Sequence, residues 1–110
     1  MTSSSTELHK MGDTLALAGE LTFLSVPRLW RDNKRLFRDA ASPATGISVD
    51  LAKVVRADSA GLALMLEWRR QANHRNITLR FQNIPEQMLS LANLAEVDFL
   101  FDDHAVKNLT

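Results

Sequence analysis

The chain contains no cysteine, and this absence excludes several classes of function. None of its 110 residues is Cys, so a disulfide framework, thiolate catalysis and a cysteine-ligated zinc site are ruled out. The three histidines, His9, His74 and His104, lie far apart and lack the spacing of a helical ligand pair. We therefore expect no metal site, and the sequence indicates no cofactor.

Long apolar runs and an excess of one charge are also missing. No stretch approaches the ~20 apolar residues that cross a bilayer. The opening residues Met-Thr-Ser-Ser-Ser-Thr have no basic segment followed by an apolar one, so we expect no signal peptide and a cytoplasmic location. Thirteen basic and thirteen acidic residues give a formal net charge of zero. Overall charge therefore favours neither nucleic acid nor direct membrane insertion.

Enzyme motifs are likewise missing. The four glycines lie near turns or helix ends, and no nucleophile elbow, P-loop or dinucleotide-binding glycine pattern is present. Ser59 directly follows Asp58, and no histidine is placed in the pattern to act as its base. We therefore expect no catalytic residues and no enzymatic activity.

The first half of the chain predicts a hairpin followed by a helix. Residues 1–5 are polar and predicted to be loose, so one domain is expected over residues 6–110. Alternating patterns at 6–10 and 14–18 flank a turn at Met11-Gly12-Asp13, and Gly19 is expected to close the second strand. A helix is predicted from about Val26 to Ala40, with Ser25 as its N-cap and Pro27 in its first turn.

The second half predicts alternating strands and helices. Strands are expected at 47–51 and 77–81, with helices at 58–73 and 83–93. Asn83 and Glu86 have the spacing of a capping box. A last strand at 97–101 and a short helix from about Asp103 complete the pattern. The predicted fold class is therefore α/β, with a mixed, mostly parallel sheet, an N-terminal hairpin and helices packed on the sheet.

The step from Asp58 to Ser59 is the most informative local feature. An apolar segment ends there, and a helical apolar pattern begins immediately afterwards. Helix N-termini expose backbone N–H groups that favour anionic and hydrogen-bonding groups. A serine at this place could cap the helix, contact a partner or accept a phosphate, and the sequence leaves these three roles open.

The helix after Ser59 carries more apolar surface than a single contact face requires. Leu62 to Leu66 are consecutive apolar residues, and Trp68 follows, whereas a helix on one face of a sheet needs an apolar stripe only about 100° wide. Leu64 and Trp68 point to a second sector. Either neighbouring helices of the domain or another protein cover that sector, and both interpretations remain open.

Several segments together resemble a STAS domain, the fold of anti-sigma factor antagonists and of some transporter-associated domains. The resemblance rests on a strand ending in Gly-Glu-Leu, on Val49-Asp50-Leu51 followed by Asp58-Ser59-Ala60-Gly61-Leu62, and on Phe99-Leu100-Phe101 with Ala105-Val106. It covers about residues 6 to 109. Within the family, the segments 12–21, 27–30 and 58–64 are most similar to the small STAS subunits of Mla phospholipid ABC transporters.

The resemblance implies a non-enzymatic cytoplasmic subunit that binds the transporter ATPase, and through it the permease, at the inner membrane. Such a complex moves phospholipid and maintains outer-membrane lipid asymmetry. The residues expected at the contact are Trp30, Arg56, Asp58, Ser59 and Leu62, although the apolar pattern around Trp30 also fits a core position. Ser59 takes the position that is phosphorylated in anti-sigma factor antagonists. The alternative is therefore an antagonist switched by phosphorylation of Ser59.

Overall fold

The computed structural model describes residues 6–38 and 46–101. Its sheet has four strands in sequence order, namely β1 (Thr6–Met11), β2 (Thr14–Leu21), β3 (Ile47–Ala57) and β4 (Leu79–Gln82). β1 pairs antiparallel with β2, whereas the pairs β2–β3 and β3–β4 are parallel. The predicted N-terminal hairpin and the mixed, mostly parallel sheet are confirmed.

The described residues form three α-helices, α1 (Val26–Asp32), α2 (Ser59–His74) and α3 (Glu86–Leu94), and a final 3₁₀ helix at Asp98–Phe101. The crossovers β2–α1–β3 and β3–α2–β4 advance the sheet in one direction, and right-handed crossovers of this kind place their helices on the same face. Leu15 and Leu17 of β2 and Val49 of β3 are at most 2% exposed, whereas Ala16 and Ala18, which alternate with the two leucines along β2, are only half-buried. The core therefore lies between one face of the sheet and the helices.

Helix α2 lies at the centre of the helical layer, and this position accounts for its apolar excess. It contacts both α1 and α3 as well as the sheet. Leu64 is 3% exposed and Trp68 is 1% exposed, and the Trp68 ring meets Phe37 edge-on at a centroid distance of 6.1 Å. The second apolar sector of α2 is thus covered within the domain. Of the two alternatives, coverage by neighbouring parts of the domain is the correct one.

The close approach of α2 to the sheet depends on Gly61. A Cβ at this position would lie 2.7 Å from the carbonyl oxygen of Leu21 and 2.9 Å from the Leu21 Cβ. Contacts this short do not occur at real Cβ atoms, so any side chain here would push the start of α2 away from β2. Gly61 therefore serves helix–sheet packing.

Helix α1 is shorter than predicted. It ends at Asp32 instead of continuing to Ala40, and residues 33–38 form turns. Asn33 ends the helix because its side-chain Nδ2 donates to the Leu29 carbonyl at 2.9 Å while its backbone N–H donates to Trp30. Such a side chain competes with the helical hydrogen-bond ladder. Leu36 and Phe37 nevertheless remain buried, as the apolar stripe indicated.

Strands β2 and β3 are both longer than predicted. Gly19 does not close β2; it has a φ of +106° within the strand, next to a register irregularity, and β2 continues to Leu21. β3 extends to Ala57 because its last residues pair in parallel with the end of β2. The segment between Leu51 and Asp58, which was expected to be a connection, is therefore a strand.

The predicted capping box at α3 is wrong. Pro85 occupies the N-cap position and the helix begins at Glu86. Asn83 has a left-handed φ of +56°, and its side-chain Nδ2 donates to Asp50 Oδ1 at 2.9 Å. That hydrogen bond, with a second one from the backbone N–H of Ala52, lowers the pKa of the Asp50 carboxyl. Asn83 thus links the end of β4 to Asp50 within β3 and does not cap the helix.

The last predicted strand is also wrong, because the segment Asp98–Phe101 is a 3₁₀ helix. Glu96 has a φ of +60°, and the backbone N–H of Val97 donates a hydrogen bond to the Ala92 carbonyl. The chain therefore turns back instead of joining the sheet. Leu100 is fully buried, and its carbonyl accepts from Arg69 Nη2 at 2.9 Å. Packing at the end of α2 replaces the expected strand pairing.

Some sequence predictions lie outside the described residues. These are the loose segment 1–5, the end of the predicted first helix and most of the loop after it, the short helix from Asp103, and the Ala105-Val106 part of the family resemblance. Among the described residues, no helix is long and apolar enough to cross a membrane.

Candidate functional site

The candidate site lies at the edge of the sheet where the parallel strands β2 and β3 end. Leu21 pairs with Ala57 in the last step of this ladder, and α2 begins two residues later. In open α/β sheets, binding sites commonly lie at the carboxyl ends of the strands. The same edge is joined to α3, because the side-chain Oε1 of Gln87 accepts from the Ala57 backbone N–H at 3.0 Å.

Asp58 links the elements that meet at this edge through its side-chain carboxylate. It is the N-cap of α2, and its Oδ1 accepts from the backbone N–H of Ala60 at 2.8 Å. Its Oδ2 accepts from the backbone N–H of Phe23 at 3.1 Å, and its own N–H donates to the Leu21 carbonyl. Asp58 therefore fastens the turn between β2 and α1 to the start of α2.

Ser59 is the first helical residue and is exposed to solvent. The capping role that the sequence left open for it belongs to Asp58. Within the described residues the Ser59 hydroxyl has no hydrogen-bond partner. A contact with a partner and phosphorylation are the two roles that the geometry leaves for Ser59.

The turn between β2 and α1 directs its polar side chains inwards. Thr22 and Ser25 are 4% and 5% exposed. The Ser25 hydroxyl accepts from the Thr22 backbone N–H at 3.0 Å and donates to the Glu20 carbonyl. Ser25 occupies the N-cap position of α1, but its side chain makes no capping bond, which corrects the predicted role. Pro27 lies in the first turn of the helix, as predicted.

The same turn directs its two apolar side chains outwards. Phe23 is 68% exposed and Leu24 is 65% exposed, and Val55, near the end of β3, is 78% exposed. We call these three residues, together with Arg56 and Ser59, which are also exposed, the Ser59 edge, because all five lie at or just beyond the paired ends of β2 and β3. Asp58 supports this surface from within, since its carboxylate anchors the Phe23 backbone to α2.

The residues predicted for the contact fall into two groups. Arg56, Asp58 and Ser59 come together at the Ser59 edge, the first and last of them exposed and Asp58 half-buried. Leu62 is only 4% exposed and lies in the core, and Trp30 is half-buried and packs against the core. Leu62 therefore anchors the start of α2 and offers a partner no exposed side chain.

The sequence interpretation missed Phe23 and Leu24. The signal was present, since two large apolar residues lie between the Gly-Glu-Leu strand end and the Ser25–Pro27 helix start, where neither a strand nor a helix pattern accounts for them. Turn residues are usually polar. Apolar residues outside any periodic pattern were thus a better guide to exposed apolar surface than the apolar excess of α2.

The chemistry available at the Ser59 edge is that of a contact surface. It presents a hydroxyl, a guanidinium group, the N-terminal N–H groups of a helix and apolar side chains, and the core of a protein interface combines such apolar and hydrogen-bonding groups. Within the described residues, no group of three or more His, Asp or Glu side chains is arranged to hold a metal ion.

Comparisons with known proteins agree with one another. A family model described as Mlab, STAS domain, matches residues 4–102. The chain is 30% identical over 90 residues to the intermembrane phospholipid transport system binding protein MlaB of Haemophilus influenzae, a match that covers 80% of the chain and 86% of that protein. It is 32% identical over 93 residues to the protein of the same name from Escherichia coli K12, covering 84% of the chain and 89% of the relative.

A solved structure shares the fold. It is that of the anti-sigma factor antagonist SpoIIAA in its unphosphorylated form, with a TM-score of 0.61 and 18% sequence identity. The match covers 81% of this chain and 82% of that chain. At this identity the likeness concerns the fold alone.

Proposed function

Because the chain belongs to the STAS domain family of MlaB type, we propose that it is an accessory subunit of a phospholipid-transporting ABC transporter. Its relatives carry the name of binding proteins of an intermembrane phospholipid transport system. In this proposal the chain is cytoplasmic and catalyses no reaction. It binds the ATPase subunit of the transporter and is joined to the permease through that subunit. It is associated with the inner membrane only through the complex.

The observation that supports the docking surface is the exposure of Phe23 and Leu24 in the turn that Asp58 ties to the start of α2. The Asp58 carboxylate fixes the backbone of Phe23 to the start of α2, so the turn that carries the two apolar side chains is held in place before a partner arrives. A preformed contact surface loses less conformational entropy on binding than a loose one. The apolar side chains would form the centre of the interface, and Arg56 and Ser59 its polar margin.

Ser59 would contribute through its hydroxyl and Arg56 through its guanidinium group. Both are exposed, and a guanidinium group can form paired hydrogen bonds with a carboxylate of the partner. Leu62 and Trp30 would act from behind this surface, because Leu62 is buried and Trp30 is packed against the core. The proposed contact therefore consists of the Ser59 edge, supported by Asp58 and Leu62.

A phosphorylation switch is the second candidate. It is favoured by the exposure of Ser59 at a helix N-terminus, where a phosphoserine would add about −1.5 to −2 charges near the positive end of the helix dipole. The neighbouring carboxylate of Asp58 would oppose this charge. Phosphorylation would also add this charge to the Ser59 edge and would weaken any apolar contact made there.

Affinity capture from the native host distinguishes the two candidates. We expect the wild-type chain to recover the ATPase and permease of a phospholipid ABC transporter. Ser59→Ala should reduce that recovery without loss of folded protein. Thr78→Ala is the matched control, because Thr78 is an exposed hydroxyl residue just before β4, away from the ends of β2 and β3. Recovery of a serine kinase and an anti-sigma factor, with phosphate on Ser59, would contradict the transporter proposal.

A further inference from the structure

A recess lined by basic side chains lies at the opposite end of α2 from Ser59. Its volume is about 190 Å³, and the side chains that line it are Lys34, Arg38, Arg70, Gln71, His74 and Arg75. Four of these six residues carry a permanent positive charge, although the whole chain has a formal net charge of zero. The positive charge is therefore concentrated locally, in a way that the composition does not show.

Apolar packing brings the two halves of this recess together. Lys34 and Arg38 belong to the turns after α1, whereas the remaining lining residues belong to α2 and its C-cap. Phe37, which is 1% exposed, packs edge-on against Trp68 of α2. This contact fixes the turn segment beside the last two turns of α2 and holds Lys34 and Arg38 against the basic end of the helix.

The helix dipole explains only part of this arrangement. Cations are favourable near the C-terminus of a helix, which accounts for His74 and Arg75 on α2 and its cap. It does not account for Lys34 and Arg38, which approach from another segment. Like charges brought together repel one another, and a concave surface lined by one sign of charge concentrates the field. An anion bound in the recess would remove that repulsion.

Among the described residues, the one carboxylate that bonds to the lining side chains is already engaged. Glu67 Oε1 accepts from Arg70 Nε at 2.9 Å, and Glu67 Oε2 accepts from Gln71 Nε2 at 3.2 Å. The Arg70 hydrogen bond lowers the pKa of Glu67, so its charge is retained. Within the described residues, Lys34, Arg38 and Arg75 have no carboxylate partner. Their charges are thus available to a ligand.

We propose that this recess binds a phosphate group, carried either by a soluble phosphate ester or by the headgroup of an anionic phospholipid. Guanidinium groups match the oxygen geometry of phosphate and bind it in paired hydrogen bonds. The recess is smaller than the roughly 300–1,000 Å³ typical of pockets for larger ligands, so its size favours one compact anion over an extended acidic peptide.

The proposed phosphate site is independent of the docking proposal. The α2 residues that line the recess begin at Arg70, and at about 1.5 Å of rise per residue the recess lies roughly 16 Å or more along the helix from Ser59. A phosphate in the recess and a partner on the Ser59 edge can therefore be bound together. Failure of either proposal leaves the other standing.

The test is a titration of the folded chain monitored by amide NMR at constant ionic strength. The soluble probes are inorganic phosphate and glycerol 3-phosphate, and a parallel flotation assay uses phosphatidylcholine vesicles with and without phosphatidylglycerol. We expect saturable shifts confined to residues 34–38 and 70–75 with the soluble probes, or flotation that requires phosphatidylglycerol. The first result identifies a soluble ester as the ligand source and the second a lipid headgroup.

A double variant and its matched control distinguish specific binding in the recess from general attraction of anions to positive surface charge. Arg38→Gln with Arg75→Gln should weaken binding at least tenfold and leave the melting temperature unchanged, because both side chains are exposed. Arg28→Gln with Arg31→Gln removes the same charge from exposed positions on α1 and should change binding less than twofold. Equal losses in both variants, no saturable binding of any probe, or tighter binding of a poly-glutamate peptide would each overturn the proposal.

Discussion

Two apolar regions of this protein have opposite roles. The apolar run of α2, which includes Leu64 and Trp68, is buried within the domain, whereas Phe23 and Leu24 in the turn between β2 and α1 are about two-thirds exposed. The difference arises from their neighbours, since α2 lies between two helices and the sheet, while the turn buries Thr22 and Ser25 in its own hydrogen bonds. The shorter apolar segment is therefore the better candidate for a partner contact.

Truncation of Trp68 should produce the largest effect on folding. Trp68 is 1% exposed and packs against Phe37, so Trp68→Ala leaves a cavity and should lower the free energy of unfolding by about 3–5 kcal/mol. Chemical denaturation of the purified chain measures this change. A loss under about 1 kcal/mol would show that the α2 apolar run is not the core and would break the contrast between the two regions.

Removal of the Asp58 side chain should have a smaller effect, at the junction of the two regions. Asp58→Ala loses the N-cap bond to Ala60 and the bond to Phe23, and the loss of a cap typically costs ~1 kcal/mol of stability. Asp58→Asn keeps one carbonyl oxygen as an acceptor and should cost less. Denaturation of the three proteins side by side should show a free energy of unfolding that decreases from wild type to Asp58→Asn to Asp58→Ala. Equal stability of all three would contradict the assigned role.

The sequence predicted the fold well because periodicity and local signals agree over most of the chain. The hairpin, the parallel arrangement and the long helix after Asp58 follow from alternating or helical apolar patterns. The errors occur where a single side chain overrides the pattern. Asn33 ends α1 early and Asn83 bonds to Asp50 instead of capping α3. Apolar periodicity carries no information about such hydrogen bonds.

The candidate site was predicted only in part. Asp58 and Ser59 were recognised from the change of pattern at the helix start, and Arg56 by its proximity to them. The exposure of Phe23 was signalled by its place outside any periodic pattern but was missed. The burial of Leu62 could not be read from the sequence, because it depends on how α2 docks on the sheet through Gly61. The basic recess was missed for a similar reason, since its charges come from two separate segments of the chain.

The most direct test of the account is the affinity of the chain for the purified ATPase subunit of the proposed transporter, measured by calorimetry. Phe23→Ser with Leu24→Ser should weaken binding at least ~30-fold, as expected for about 2 kcal/mol at the centre of an interface. The free energy of unfolding should change by less than about 0.5 kcal/mol. Leu94→Ser, at an even more exposed apolar position at the end of α3, should leave the affinity unchanged. Wild-type affinity in the double variant would contradict the central claim that the Ser59 edge is the docking surface.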